Sequence, residues 1–200
     1  MSKFALLALL FVSCFLLGKA DVPVDLSLIE TREINGEKIY FLKNKKEPYS
    51  GRSLGICDNC EKKVETYWKY GRKEGTSTHW YNNGQKSSEI NFKNGKRNGL
   101  KTVWYENGLK KSETTYLEGK QHGLRSEWHK NGQKSAESHW KDAKQEDLTI
   151  FWHENGQKKS ESHWKEGKAH GVAIIYDENG KETLRRHYLK GVITLEHKSR

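Results

Sequence analysis

The chain has 200 residues, with 36 Lys and Arg against 26 Asp and Glu for a net charge of +10, and only 2 prolines and 3 cysteines beside 18 glycines. That excludes a large multidomain enzyme, a collagen-like chain and a disulfide-dense scaffold. Leu, Ile, Val and Phe make up 30 of the 180 residues from Asp21 onward, a share typical of disordered chains, so an ordinary aliphatic core is excluded as well.

Met1 to Ala20 carries Lys3, an apolar stretch from Phe4 to Val12 that resumes at Phe15-Leu16-Leu17, and Gly18-Lys19-Ala20 before an acidic residue. This pattern predicts a secretory signal peptide over residues 1–20, cut between Ala20 and Asp21. The run is too short to span a bilayer comfortably, and nothing later approaches the length a transmembrane helix needs. A lipidated N-terminus at Cys14 is the weaker reading, because Phe11 fits that signal poorly and the apolar run continues past the cysteine.

From there an internal repeat governs the chain. Asn-Gly recurs at 83–84, 107–108, 131–132, 155–156 and 179–180, every 24 residues, and the frame reaches back through Asn59-Cys60 to Asn35-Gly36. A second column holds Gly71, Gly95, Gly119, Gly167 and Gly191 with Ala143 as its exception, and a third holds Gly51, Gly75, Gly99, Gly123 and Gly171 with Asp147 as its exception. All seven tryptophans fall in two columns: Trp80, Trp104, Trp128 and Trp152, continued by Tyr176, and Trp68, Trp140 and Trp164, shared with Phe92, Tyr116 and Tyr188. An uninterrupted frame of this kind predicts a stacked array whose units meet in one fixed geometry.

Each unit reads as a β-hairpin, for example a strand over 76–81, a turn at Asn82-Asn83-Gly84, a strand over 85–92 and a glycine-bearing connection over 93–99. The predicted class is all-β: a capping segment over 21–50, six repeats over 51–74, 75–98, 99–122, 123–146, 147–170 and 171–194, and a tail over 195–200. A three-residue loop ending in a left-handed Gly84 (and at Gly108, Gly132, Gly156 and Gly180) gathers Trp80, Thr78, Thr76, Ser88, Ile90 and Phe92 on one face. That register sets Ser88 against Trp104, Ser112 against Trp128, Ala136 against Trp152 and Ser160 against Tyr176. The expected result is one twisted antiparallel sheet with one aromatic face, aromatic area replacing the missing aliphatic core.

The pattern Gly-x-x-x-x-Trp-Tyr-x-Asn-Gly-x-Lys-x-x-Glu over Gly99 to Glu113, followed by aromatic-x-x-Gly-Lys over Tyr116 to Lys120, resembles the bacterial variant of the MORN (membrane occupation and recognition nexus) repeat. Pro48-Tyr49-Ser50-Gly51 is similar to the segment that leads into such arrays. The resemblance covers residues 36–191, with departures at Cys60, Ala143, Asp147 and Arg185. It implies an elongated hairpin array that serves as a scaffold or binding surface, and an antitoxin-like role for bacterial members.

Glu65, Glu89, Glu113, Glu137 and Glu161 share a column, and the expected register places Lys101 opposite Glu113 and Arg125 opposite Glu137, as cross-strand ion pairs. His139, His163 and His187 form another column, and His129 and His153 a third. Equivalent positions in successive hairpins lie about 9 to 10 Å apart, too far to share one zinc ion. Cys57-Asp58-Asn59-Cys60, lacking a second cysteine pair, predicts a disulfide in the first repeat. Lys86, Lys110 and Lys134 are placed across from Trp80, Trp104 and Trp128, where cation–ring contact accounts for them. Neither a cofactor nor a catalytic motif is expected. The functional expectation is a non-enzymatic exported scaffold for a protein partner, a toxin among the candidates, with Glu113, Glu137, His139, Glu161 and His163 as binding positions. Cell-wall glycan or phospholipid headgroups are the rival ligand, and nucleic acid is not expected.

Overall fold

A computed structural model describes residues 22–57 and 60–198; the leader, Cys14 and the Ala20–Asp21 cleavage site lie outside the described residues. Strands β1 (Val24–Asp25), β2 (Ile29–Ile34) and β3 (Glu37–Leu42), with a 3-10 turn at Leu26–Leu28, precede the array. The array follows as β4 (Gly51–Cys57), β5 (Cys60–Lys69), β6 (Arg72–Trp80), β7 (Lys86–Lys93), β8 (Lys96–Trp104), β9 (Lys110–Leu117), β10 (Lys120–Trp128), β11 (Lys134–Lys141), β12 (Lys144–Trp152), β13 (Lys158–Lys165), β14 (Lys168–Tyr176), β15 (Glu182–Leu189) and β16 (Val192–Lys198). Strands β4 to β16 form one antiparallel meander in chain order, and β1 adds to β4 in parallel. Six hairpins are present, and β16 carries the sheet through residues 195–198, which the sequence reading assigned to a tail.

Two kinds of turn alternate along the ribbon. On one long side, three-residue loops such as Asn82-Asn83-Gly84 close with Tyr81 N donating to the Gln85 carbonyl at 2.8 Å and Gly84 N to the Tyr81 carbonyl at 3.0 Å, with Gly84 at φ +81°. On the other side, the glycine-bearing connection expected over 93–99 is mostly strand. Asn94 and Gly95 form a two-residue turn with both φ values positive (+49° and +79°), and strand resumes at Lys96. This is the turn whose twist matches that of the flanking strands. Asn35-Gly36 is also a turn of this second kind (φ +52° and +78°), so it closes the separate β2–β3 hairpin and is not an earlier copy of the repeat.

The three-residue loop occurs as expected, but an irregularity just after it reverses the consequence. Trp80 pairs with Lys86 while His79 pairs with Ser88, so Ser87 is an extra residue, and the same shift recurs in each later hairpin. A bulge of one residue moves everything beyond it to the other side of the pleat. Thr78 therefore pairs with Glu89, and Ser77 with Ile90. By alternation the aromatic columns lie on opposite faces. The front face carries Trp68, Phe92, Tyr116, Trp140, Trp164 and Tyr188; the back face carries Trp80, Trp104, Trp128, Trp152 and Tyr176. The single aromatic face of the sequence reading is replaced by two.

The predicted partners of the small residues change with it. Ser88 pairs with Val103, Ser112 with Glu127, Ala136 with Phe151 and Ser160 with Ile175. The small residues that do serve a ring are Ser53, Ser138 and Ser162, whose hydroxyls accept the indole N–H of Trp68, Trp140 and Trp164 at 2.8 to 2.9 Å. A single layer has no second sheet to bury large side chains, so the buried positions within the array are chiefly short hydroxyl residues such as Ser77, Thr102, Thr114, Ser126 and Thr149.

The apolar core proper sits at the N-terminal end, where β2–β3 folds over the front face. Ile39, Phe41, Tyr49 and Trp68 are buried there, with Phe41 only 2% exposed. The Tyr40 ring lies 4.6 Å from that of Trp68, and Gly71 bridges cap and array, its N–H donating to the Tyr49 carbonyl and its carbonyl accepting from Tyr40 N. Strands β1 to β3 thus form a cap that covers the first ring of the front row and, through β1, the first edge of the sheet.

Where the repeat departs from glycine, the backbone does not. Ala143 is held at φ +65° beside Asp142 at +50°, a conformation costing an L-residue about 1 to 2 kcal/mol. Ala143→Gly is expected to stabilise the array by about 0.5 to 1 kcal/mol after glycine's greater unfolded-state entropy is subtracted, read as a higher urea midpoint.

Candidate functional site

The carboxylate column lies along the middle of the back face. Glu65, Thr78, Glu89, Thr102, Glu113, Ser126, Glu137, Ile150, Glu161 and Ile174 form one unbroken row of directly paired residues crossing ten strands. Lys101 and Arg125 are not opposite Glu113 and Glu137, because the bulge moves them to Thr114 and Ser138. Each glutamate instead takes a lysine three residues earlier on its own strand: Lys86–Glu89 at 2.6 Å, Lys110–Glu113 at 2.7 Å, Lys134–Glu137 at 2.5 Å and Lys158–Glu161 at 2.8 Å.

The same lysines reach forward to the next repeat. Lys86, Lys110 and Lys134 do pair by backbone with Trp80, Trp104 and Trp128, but their ammonium groups stand 5.8 to 5.9 Å over the rings of Trp104, Trp128 and Trp152. Three successive units of the back face thus link Glu, Lys and the following tryptophan in series, which joins neighbours and covers one side of each ring. In the next unit Tyr176 Oη donates to Glu161 at 2.8 Å. Lys158 and Tyr176 hold the Glu161 carboxyl below its ordinary value, while burial first and then the bond to Glu161 push the Tyr176 phenol up to about 12. Because the folded state keeps that proton more tightly than the unfolded chain, its stabilising contribution is full below pH 10 and is lost as pH rises toward 12. Alkaline unfolding of the wild type is expected to steepen across that window, and Tyr176→Phe to flatten it; solvent around Tyr176 keeps the effect modest.

Beside the carboxylate row, towards the two-residue turns, runs a mixed row in which Leu124 pairs with His139, Leu148 with His163 and Val172 with His187. His139 and His163 are exposed, as are Leu100 and Leu124 at 41%. The structure therefore brings Glu113, Glu137, Glu161, His139 and His163 onto one surface. His129 and His153 belong elsewhere: on the three-residue-loop side, Nε2 of each lies 3.0 and 3.2 Å from the carbonyls of Trp152 and Tyr176, replacing the hydroxyls of Tyr81 and Tyr105 that donate to Trp104 and Trp128. The Cys57 and Cys60 backbones pair across the first hairpin; the side chains of the predicted disulfide lie outside the described residues.

One set of working residues was missed. In the Asn-Gly column, Asn83, Asn107, Asn131 and Asn155 each accept through Oδ1 from the backbone N–H two residues on and donate through Nδ2 to a carbonyl of the next repeat, 23 residues away. The turn asparagine is also an inter-repeat clasp, a role visible only once the loops stack.

Residues 73–94, 121–142 and 148–166 match the family described as MORN repeat variant. These spans coincide with the β6–β7, β10–β11 and β12–β13 hairpins. Three of these hairpins are MORN repeat variants. The third match starts at 148, just past the two departures at Ala143 and Asp147, and the intervening MORN-like hairpins keep the same turns, bulges and ladders. A search of curated proteins finds no match. Among solved structures, a chain of the crystal structure of TarM is similar at 13% identity, over 70% of this chain, with a TM-score of 0.18; this chain spans only 21% of that one. MORN repeats form a repeat scaffold, the architecture found here. Among the described residues no helix is long and apolar enough to cross a membrane.

Proposed function

We propose that the protein is a non-enzymatic exported scaffold that binds a protein partner through its back face, an exported toxin being one candidate in an immunity-like role. The observation that carries this reading is the uncovered row of Leu100, Leu124, His139 and His163 running beside Glu113, Glu137 and Glu161, while the cap occupies the front face at its N-terminal end. Apolar, imidazole and carboxylate groups interleaved at one repeat spacing suit a mixed protein surface. Anionic headgroups are disfavoured on this face, because each back-face lysine of the Lys86 column already serves a glutamate. Export rests on the leader pattern over 1–20.

The test is capture from the exported fraction with wild type and with Glu113→Gln/Glu137→Gln/Glu161→Gln, beside sedimentation with liposomes and with cell wall. One protein retained by wild type and weakened in the triple variant supports the reading. Sedimentation with wall or vesicles and no protein capture moves the assignment to the rival surface ligand. Single changes at Glu113, Glu137, His139 or His163 are expected to weaken binding modestly, and combinations steeply, because equivalent contacts act in parallel.

A further inference from the structure

The two long sides of the ribbon differ in charge. The segments 69–74, 93–98, 117–122, 141–146, 165–170 and 189–194, which form the two-residue-turn side, hold 12 Lys and Arg against 5 Asp and Glu; the opposite loops over 81–86, 105–110, 129–134, 153–158 and 177–182 hold 6 against 5. The two-residue-turn side therefore carries +7 of the chain's net charge of +10, and the opposite loops +1. Within it, cations face each other directly across the hairpin: Lys69 with Arg72, Lys93 with Lys96, Lys141 with Lys144 and Lys165 with Lys168. Like charges directly opposite are destabilising.

Two of these cations are offset within the fold, Arg72 by Glu37 at 2.5 Å and Lys96 by Glu118 at 3.3 Å. Lys93, Lys141, Lys144, Lys165 and Lys168 are exposed and make no ion pair among the described residues, in contrast to the glutamate-paired lysines of the back face. Two of the carboxylates nearby serve the backbone, Glu74 accepting from Asn94 N and Glu146 from Glu166 N at 2.8 and 2.9 Å. Further in, burial and the charge of Arg97 hold the Lys73 ammonium below its ordinary value. The facing pairs Lys141–Lys144 and Lys165–Lys168, one repeat or about 9 to 10 Å apart along the ribbon, stand uncompensated among the described residues and are open to an external anion.

We propose that this side is a binding site for a linear polyanion, a flexible chain bearing phosphate, sulfate or carboxylate groups that lies along the row of turns. Shape selects a chain over a membrane. Adjacent strands rotate by roughly 20 to 25°, so the turn at Lys93–Lys96 and that at Lys165–Lys168, six strands apart, point in widely different directions. A flat lipid surface meets few of these turns at once, whereas a flexible polymer follows them all. The site is independent of the back-face reading and occupies a different side of the ribbon.

Long-chain inorganic polyphosphate and polygalacturonate serve as probes, beside vesicles of phosphatidylcholine and phosphatidylglycerol, with binding measured from about 50 to 200 mM salt. Four site lysines are changed in K141Q/K144Q/K165Q/K168Q, and four on the other side in K111Q/K130Q/K159Q/K181Q, an equal change in net charge. Each cation neutralising an anionic group contributes about 0.7 to 0.9 to the salt slope, so the first variant is expected to lower the slope by about three and the affinity at low salt by at least about tenfold. The second variant is expected to change both little. Thermal melting of the first variant is expected to match or exceed the wild type, since it relieves repulsion. Equal losses in both variants, absence of binding to either polymer, or tighter binding to the vesicles than to both polymers would each overturn the proposal.

Discussion

Trp68→Ala is expected to cost about 3 to 5 kcal/mol, more than any other substitution in the aromatic columns. Among the described residues Trp68 is the one buried tryptophan, at 6% exposure. Its indole N–H donates to the buried Ser53 hydroxyl at 2.8 Å, Tyr40 covers it from the cap, and Lys73 lies 5.7 Å from it on the array side. Its loss leaves a cavity beneath the cap and strips the buried Ser53 hydroxyl of the donor it accepts from, leaving only its 3.5 Å bond to the Thr66 carbonyl. Trp128→Ala removes a half-buried ring and is expected to cost about 1 to 2 kcal/mol. Urea unfolding of the two variants checks the order, and equal losses would mean that the cap adds nothing to the burial of the first ring.

The second large effect is expected at Gly71, where position matters more than residue type. A β-carbon there would meet Ile39 Cγ2 at 2.5 Å, the Tyr40 carbonyl oxygen at 2.8 Å and Pro48 Cβ at 3.1 Å, at a φ of +71°. The strain of a left-handed L-residue, about 1 to 2 kcal/mol, adds to an overpacking cost of about 1 to 3 kcal/mol, giving about 2 to 5 kcal/mol for Gly71→Ala. Gly95 occupies the same column at φ +79° but has no atom within 3.6 Å of its would-be β-carbon. Gly95→Ala is therefore expected to cost only the strain. Hydrogen exchange read over residues 39–49 separates the two, since only the Gly71 variant releases the cap.

These cases show what the residues reveal on their own. The 24-residue frame, the hairpin units and the left-handed Gly84 column are legible, because turn chemistry and period are local signals. The bulge at Ser87 was not: neither Lys86 nor Ser87 is a turn residue, so nothing marks the extra position, yet it sends Trp80 and Phe92 to opposite faces and slides Glu113 from Lys101 to Thr102. The two-residue turns are legible only as glycine-bearing connections, because of the pairs Tyr70-Gly71, Asn94-Gly95, Glu118-Gly119 and Glu166-Gly167 only Asn94 has a side chain that favours positive φ. The carboxylate and histidine columns were found by periodicity, and their common face follows from the register. The lysine-to-ring contacts were placed one repeat short, since pairing alone does not tell which way a long side chain leans.

The central claim is that one face of the ribbon, across several repeats, holds the partner. Photo-crosslinking in intact cells tests it most directly, with a photoreactive residue placed in turn at His139, His163 and Leu124 on the back face and at Glu127 and Ile175 on the front. The account predicts adducts of one common mass from all three back-face positions and none from the front. An adduct confined to a single position, or formed only from the front face, would contradict it.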